Sequence, residues 1–203
     1  MGKIFLIMGP SSSGKDTIYK QIKELYPSLK EIILYTNRPI RENEKDGIDY
    51  NFVSLEKLKE MENNNEILEK REYNTVHGLW VYATAKTNID LDNNNYIGIN
   101  TLDGYESLKE YYKDDIIPLY IHVEDGIRLT RALEREKLEE NPKYAEMCRR
   151  YLADIYDFNI DRLLDLEIDK LYDNSNDMES CVKEISNRIK EELDKEKEKR
   201  RIN

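Results

Sequence analysis

The stretch that most constrains this chain lies at its start. Ile4-Phe5-Leu6-Ile7-Met8 is an unbroken apolar run that feeds directly into Gly9-Pro10-Ser11-Ser12-Ser13-Gly14-Lys15. Apolar residues without alternation suit a strand buried on both faces, as in the middle of a parallel sheet. Beyond Lys15, the residues Ile18, Ile22 and Leu25 recur at helical spacing, and Pro27 ends the pattern. Strand, glycine-bounded loop and helix together bring backbone N–H groups and a helix N-terminus onto one anion. A lysine directly after the second glycine then reaches the outer phosphates of a triphosphate. A helix start merely capped by serines needs no such lysine.

The expected ATP site therefore comprises Gly9, Pro10, Ser11, Ser12, Ser13, Gly14 and Lys15, with Asp16 and Thr17 opening the helix. The usual G-x-x-x-x-G-K-[ST] pattern is broken at one place, where Asp16 replaces the metal-ligating hydroxyl and Thr17 follows. A carboxylate can hold hydrated Mg²⁺, so Asp16 is the metal candidate, acting through water.

Further apolar runs mark the rest of a core. Ile32 to Tyr35 reads as a second strand, Tyr50 to Val53 as another, and Tyr96 to Ile99 and Ile116 to Val123 as core strands. Ser54 opens a short helix with Leu55, Leu58 and Met61 on one side, ended by the asparagines 63–65. The aromatic-rich pieces up to Lys86 suggest antiparallel strands. Asp125 to Asp157 is helical and arginine-rich, with a break at Asn141-Pro142. Leu171-Tyr172 is a short strand, and from Met178 a charged helix carries Val182, Ile185, Ile189 and Leu193 on one face, with a fraying tail.

A length of 203 residues suits one α/β unit with insertions. The formal net charge of −10 repels nucleic acid and anionic lipid, so a polyanionic ligand needs a local basic pocket. The chain has no basic patch interleaved with aromatics and no apolar run of spanning length, which argues against nucleic-acid and membrane partners. Cys148 and Cys181 stand alone, as in a reduced, cytoplasmic protein. Nothing here separates a monomer from a homodimer. His77 and His122 need no catalytic role, and His122 is expected in the core.

Such a basic pocket stands in the segment Asn37 to Val53. Arg38 and Arg41 are three apart, and Glu44, Gly47, Asp49, Tyr50, Phe52 and Val53 follow at fixed offsets. Two guanidinium forks can clamp a monophosphate and fix its orientation, with Tyr50 adding a neutral donor. This segment and the phosphate loop resemble the guanylate kinase family, whose acceptor signature keeps both arginines, the glutamate, the glycine and the Asp-Tyr pair. In this chain the proline is shifted by one place and Asn43 replaces a glycine.

The resemblance implies a P-loop three-layer α/β fold with a parallel five-stranded sheet, an inserted mixed-β nucleotide-monophosphate-binding unit and a helical lid. The boundaries expected are core 1–33, 96–126 and 158–203, GMP-binding unit 34–95 and lid 127–157. It implies phosphorylation of GMP and dGMP by ATP with Mg²⁺. Arg38, Arg41, Tyr50 and Tyr82 would hold the acceptor phosphate, while Glu69 and Thr84 would read guanine. Arg131 and Arg135, four apart on one helix face, join Lys15 as catalytic cations. Either Arg149 or Arg150 reaches in from the next helix, and Arg149 is taken. Asn174 is expected to contact adenine. Leu34, Gly98 and Asn100 stand where the family carries a serine and two aspartates. Those departures keep two rivals open: a P-loop kinase for another nucleotide or phosphorylated small molecule, and a catalytically weakened guanylate kinase-like binding protein.

Overall fold

The computed structural model describes residues 1–75 and 78–202, with side chains up to Glu198. His77 lies outside the described residues. The chain runs β1 (Ile4–Met8), α1 (Lys15–Leu25), β2 (Lys30–Glu31), β3 (Tyr35–Thr36), β4 (Asn51–Phe52), α2 (Leu55–Asn63), β5 (Ile67–Thr75) and β6 (Gly78–Ala85). There follow β7 (Tyr96–Ile99), α3 (Leu102–Tyr112), β8 (Ile116–His122), α4 (Asp125–Lys137), α5 (Tyr144–Asp157), α6 (Ile160–Asp165), β9 (Leu171–Asp173) and α7 (Met178–Ile202).

Every residue of β1 is at most 1% exposed, as its unalternating sequence requires. Burial of such side chains is worth about 1.5–3 kcal/mol each, so this strand anchors the molecule. It pairs in parallel with β7 and β8, which leads to the order β2-β7-β1-β8-β9. Phe5 and Ile7 face Ile18 and Ile22 of α1 and Ile185 and Ile189 of α7. On the other face, Ile4, Leu6 and Met8 meet Leu102, Tyr105 and Leu108 of α3 and Leu163 of α6. Helices on both faces of an all-parallel sheet make the expected three-layer α/β fold. No helix among the described residues is long and apolar enough to cross a membrane.

The second sheet, in the order β4-β3-β6-β5, is mixed: β3 pairs in parallel with β4, and β6 runs antiparallel to both β3 and β5. Its apolar side, Val81 and Ala83, packs on Leu58 of α2. Ser54 caps α2 by accepting from the Lys57 N–H at 3.1 Å.

Two expectations change. Residues 32–35 do not form one strand: β2 ends at Glu31, β3 starts at Tyr35, and Ile32 to Leu34 carry the chain from one sheet to the other. Ile32 is spent on the core instead, where its Cδ1 would lie 3.3 Å from a Cβ added at Gly98. His122 is exposed at the end of β8, where the strand leaves the core, rather than buried. The charged tail from Asp194 belongs to the same helix, since α7 continues to Ile202.

Candidate active site

The phosphate loop turns because two glycines accept what other residues would resist. Gly14 has φ +86°, and a Cβ there would lie 2.5 Å from Asn174 Nδ2. Gly9 has φ +153°, and a Cβ there would lie 2.8 Å from the Ile121 carbonyl. Inside the loop, the hydroxyls of Ser12 and Ser13 are buried without a hydrogen-bond partner. Buried orphan donors on a loop at a helix N-terminus fit a phosphate. Lys15 stays partly exposed, and its one ion-pair partner among the described residues is Asp16, distant at 4.0 Å. Asp16 and Thr17 are exposed on the first turn of α1.

Asn174 does not present itself to a base. It is fully buried and its Nδ2 donates to the Ser13 carbonyl at 2.8 Å, so it braces the loop from behind. Its Oδ1 is buried without a hydrogen-bond partner, so only the amino half of the amide is engaged.

On α4, Arg131 donates to the Ser175 carbonyl at 3.1 Å, beside the loop after β9. Arg135 is exposed and shares a narrow cleft with Ser11, Ser12, Arg150 and Tyr151. Arg149 is not brought to this cleft. Its side chain is 67% exposed and closes bidentately on Glu146 at 2.7 Å, one turn away. Arg150, the alternative the sequence left open, lines the cleft with Ser11 and Ser12.

Sequence reading missed Arg128 and Asp154. Arg128 is 2% exposed, lies 3.9 Å from the centre of the Tyr151 ring, and faces Asp125 at 3.2 Å and Asp154 at 3.6 Å. Asp154 in turn accepts from the Ser11 backbone N–H. The only sequence signal was an Asp at i and an Arg at i+3 in α4, which usually marks a solvated pair.

The acceptor segment is tied to the second sheet by Asn37, whose side chain donates to the Leu79 carbonyl and accepts from the Val81 N–H. Thr36 Oγ1 accepts from the Arg38 N–H, which turns Arg38 inward. Arg38 is 3% exposed, and its fork is already closed on Glu44, at 2.9 and 2.8 Å. Its Nε donates to the Tyr82 hydroxyl at 3.1 Å. The hydrogen bonds to Glu44 push the guanidinium pKa up and hold the Glu44 carboxyl below the usual glutamate value. Arg38 is thus not an open phosphate clamp; Glu44 fills that place. Arg41 is exposed, Tyr50 stacks edge-on against Tyr82, and both tyrosines line one cavity of about 440 Å³.

Glu69 and Thr84 stand opposite each other in the β5–β6 ladder. Both are buried, and the Thr84 hydroxyl donates to Glu69 Oε2 at 3.1 Å. That hydroxyl is therefore directed at the glutamate rather than toward the cavity.

For Mg²⁺, which keeps most of its waters and takes one or two carboxylates with the substrate phosphates, Asp16 beside Lys15 is a fitting donor. Gly98 and Asn100 add no acid. Asn100 is buried and its Oδ1 accepts from the Thr101 N–H.

A parallel sheet with a glycine-bounded phosphate loop, an inserted mixed sheet and an arginine-bearing helix pair defines a P-loop α/β protein with a second binding face. Among such proteins, this chain belongs to the guanylate kinase family, whose model, described as Guanylate kinase, matches residues 1–192. The chain is 34% identical over 116 residues to the guanylate kinase of Helicobacter hepaticus, covering 56% of each protein. It is 31% identical over 120 residues to that of Geobacter metallireducens, covering 57% of this chain and 56% of the relative. The chain thus spans about half the length of the curated relatives it matches. The crystal structure of guanylate kinase from Anaplasma phagocytophilum superposes with a TM-score of 0.61 at 18% identity, over 96% of this chain and 86% of that one. That likeness is one of fold.

Proposed function

We propose that this protein transfers the γ-phosphoryl of ATP to GMP, and to dGMP, by direct in-line displacement. An oxygen of the acceptor phosphate attacks the γ-phosphorus, the bond to the β,γ-bridging oxygen breaks, and ADP and GDP leave. The observation that carries this reading is the pairing of a phosphate loop that keeps Gly9, Gly14 and Lys15 with a buried Glu69–Thr84 acceptor–donor pair in a chain of this family.

In this reading Lys15, Arg131, Arg135 and Arg150 neutralise charge on the transferring group, and positioning supplies most of the rate because the protein performs little covalent chemistry. Arg41, Tyr50 and Tyr82 hold the acceptor phosphate. Arg38 acts through Tyr82: the phenol oxygen accepts from Arg38 Nε, which leaves its own proton free to donate outward. Glu69 accepts from guanine N1–H and the 2-amino group, which adenine lacks in that arrangement. Asp16 would hold Mg²⁺ through water, and the ion would supply charge neutralisation to the triphosphate when bound. We read residues 34–95 as the acceptor unit and 127–157 as the lid. The free thiols of Cys148 and Cys181 fit a reducing cytoplasm, with the protein acting alone or as a homodimer.

An ADP-release assay with ATP, Mg²⁺ and each of GMP, dGMP, AMP, CMP and UMP tests the reading. Turnover with GMP and dGMP alone is expected. Turnover with a different acceptor overturns the base assignment and keeps the kinase. GMP binding without turnover leaves a binding protein.

A further inference from the structure

We propose that Arg71 reads the carbonyl edge of the acceptor base, completing with Glu69 a donor–acceptor pair matched to guanine; the inference rests on the GMP reading above. Glu69 and Arg71 are two apart on β5, so both project from the same side of the strand, opposite Thr84 and Tyr82 of β6. Arg71 Nε lies 2.8 Å from Glu69 Oε1, yet neither atom has an aligned hydrogen bond, although Glu69 is only 6% exposed. Attraction without alignment leaves both groups with hydrogen-bonding capacity, Glu69 buried behind the cavity and Arg71 partly exposed on its wall.

The base carbonyl needs a donor. Thr84 is spent on Glu69 Oε2, and Leu34, which lines the same cavity as Arg71, offers none. Among the described residues Arg71 is the one charged residue lining that cavity, and its ion pair with Glu69 is made through Nε. A guanidinium can donate twice to O6 and N7 of guanine, while the adjacent carboxylate accepts from N1–H. With adenine, the 6-amino group would face the guanidinium and the N1 lone pair would face the carboxylate. Both contacts set like against like, which is the arrangement that rejects a wrong base most strongly.

The test compares kcat/KM for GMP and for 6-thio-GMP, in which a weakly accepting sulfur replaces O6, using the parent, R71M and R71K. The parent is expected to prefer GMP by about ten- to a hundredfold. R71M should bring the ratio close to one while still phosphorylating GMP at raised KM, and R71K should fall between. Loss of the Glu69–Arg71 attraction weakens both substrates alike and so leaves the ratio as the readout. A parent ratio near one, or a parent-like ratio in R71M or R71K, overturns the inference alone. A parent inactive on GMP overturns the function reading and this inference with it.

Discussion

Asp154 Oδ2 accepts a 2.8 Å hydrogen bond from the backbone N–H of Ser11, so a carboxylate of α5 sits on an amide of the phosphate loop. A carboxylate there does what a phosphate oxygen would do: it satisfies an inward-facing N–H and faces Arg128 at 3.6 Å. A triphosphate that engages Ser11 must move it. D154N keeps the shape and removes the charge, so it should tighten ATP binding by about five- to tenfold, the cost of displacing one charge-assisted hydrogen bond. GMP affinity should be unchanged. Isothermal calorimetry with each nucleotide separates the two.

Arg128 is the counterpart. Its guanidinium is buried against Tyr151 and between two aspartates, so R128M leaves Asp154 without its cation in a mostly buried place. Breaking a buried pair from one side costs about 3 kcal/mol. Denaturant unfolding of R128M against the parent should show a fall of that order.

Lys15 should behave oppositely. It is partly exposed and its one ion pair, to Asp16, spans 4.0 Å, so little of the fold depends on it. K15M should lose about a hundredfold or more in kcat, as when one preorganised donor to a transition-state oxygen is removed. Its melting temperature should match the parent within a degree or two, by roughly the margin expected of a surface substitution.

Much of this was legible in the sequence, and the parts that were not share a cause. The unalternating run of β1 and the glycine spacing at Gly9 and Gly14 dictate buried strand, loop and helix almost regardless of context. Glu69 and Thr84 meet because one hairpin pairs them, which the aromatic-rich pieces before Lys86 foreshadowed. What escaped was long-range. The Ser11–Asp154 contact joins residues 143 apart, and the choice of Arg150 over Arg149 depends on how α5 is rotated. The Arg38–Glu44 closure was hidden differently: both residues belong to the acceptor motif, but no spacing tells that the glutamate occupies the arginine's fork.

That closure sets a pH dependence. Arg38, through its hydrogen bonds, holds the Glu44 pKa below the usual 4.5. A depressed folded-state pKa means the pair stabilises the protein fully above that usual value and loses its contribution as pH falls through the folded one. The stability gap between the parent and E44Q should therefore be present at neutral pH and shrink in acid. Thermal melts from about pH 7 down to about pH 3 check this, and a gap that widens in acid would refute the assigned sign.

The central claim is phosphoryl transfer between two nucleotides, and ³¹P NMR of a mixture of ATP, GMP, Mg²⁺ and enzyme tests it most directly. The account predicts that the γ-phosphorus resonance of ATP disappears as GMP is consumed, with ADP and GDP formed in equal amounts. Inorganic phosphate accumulating while GMP remains untouched would contradict it.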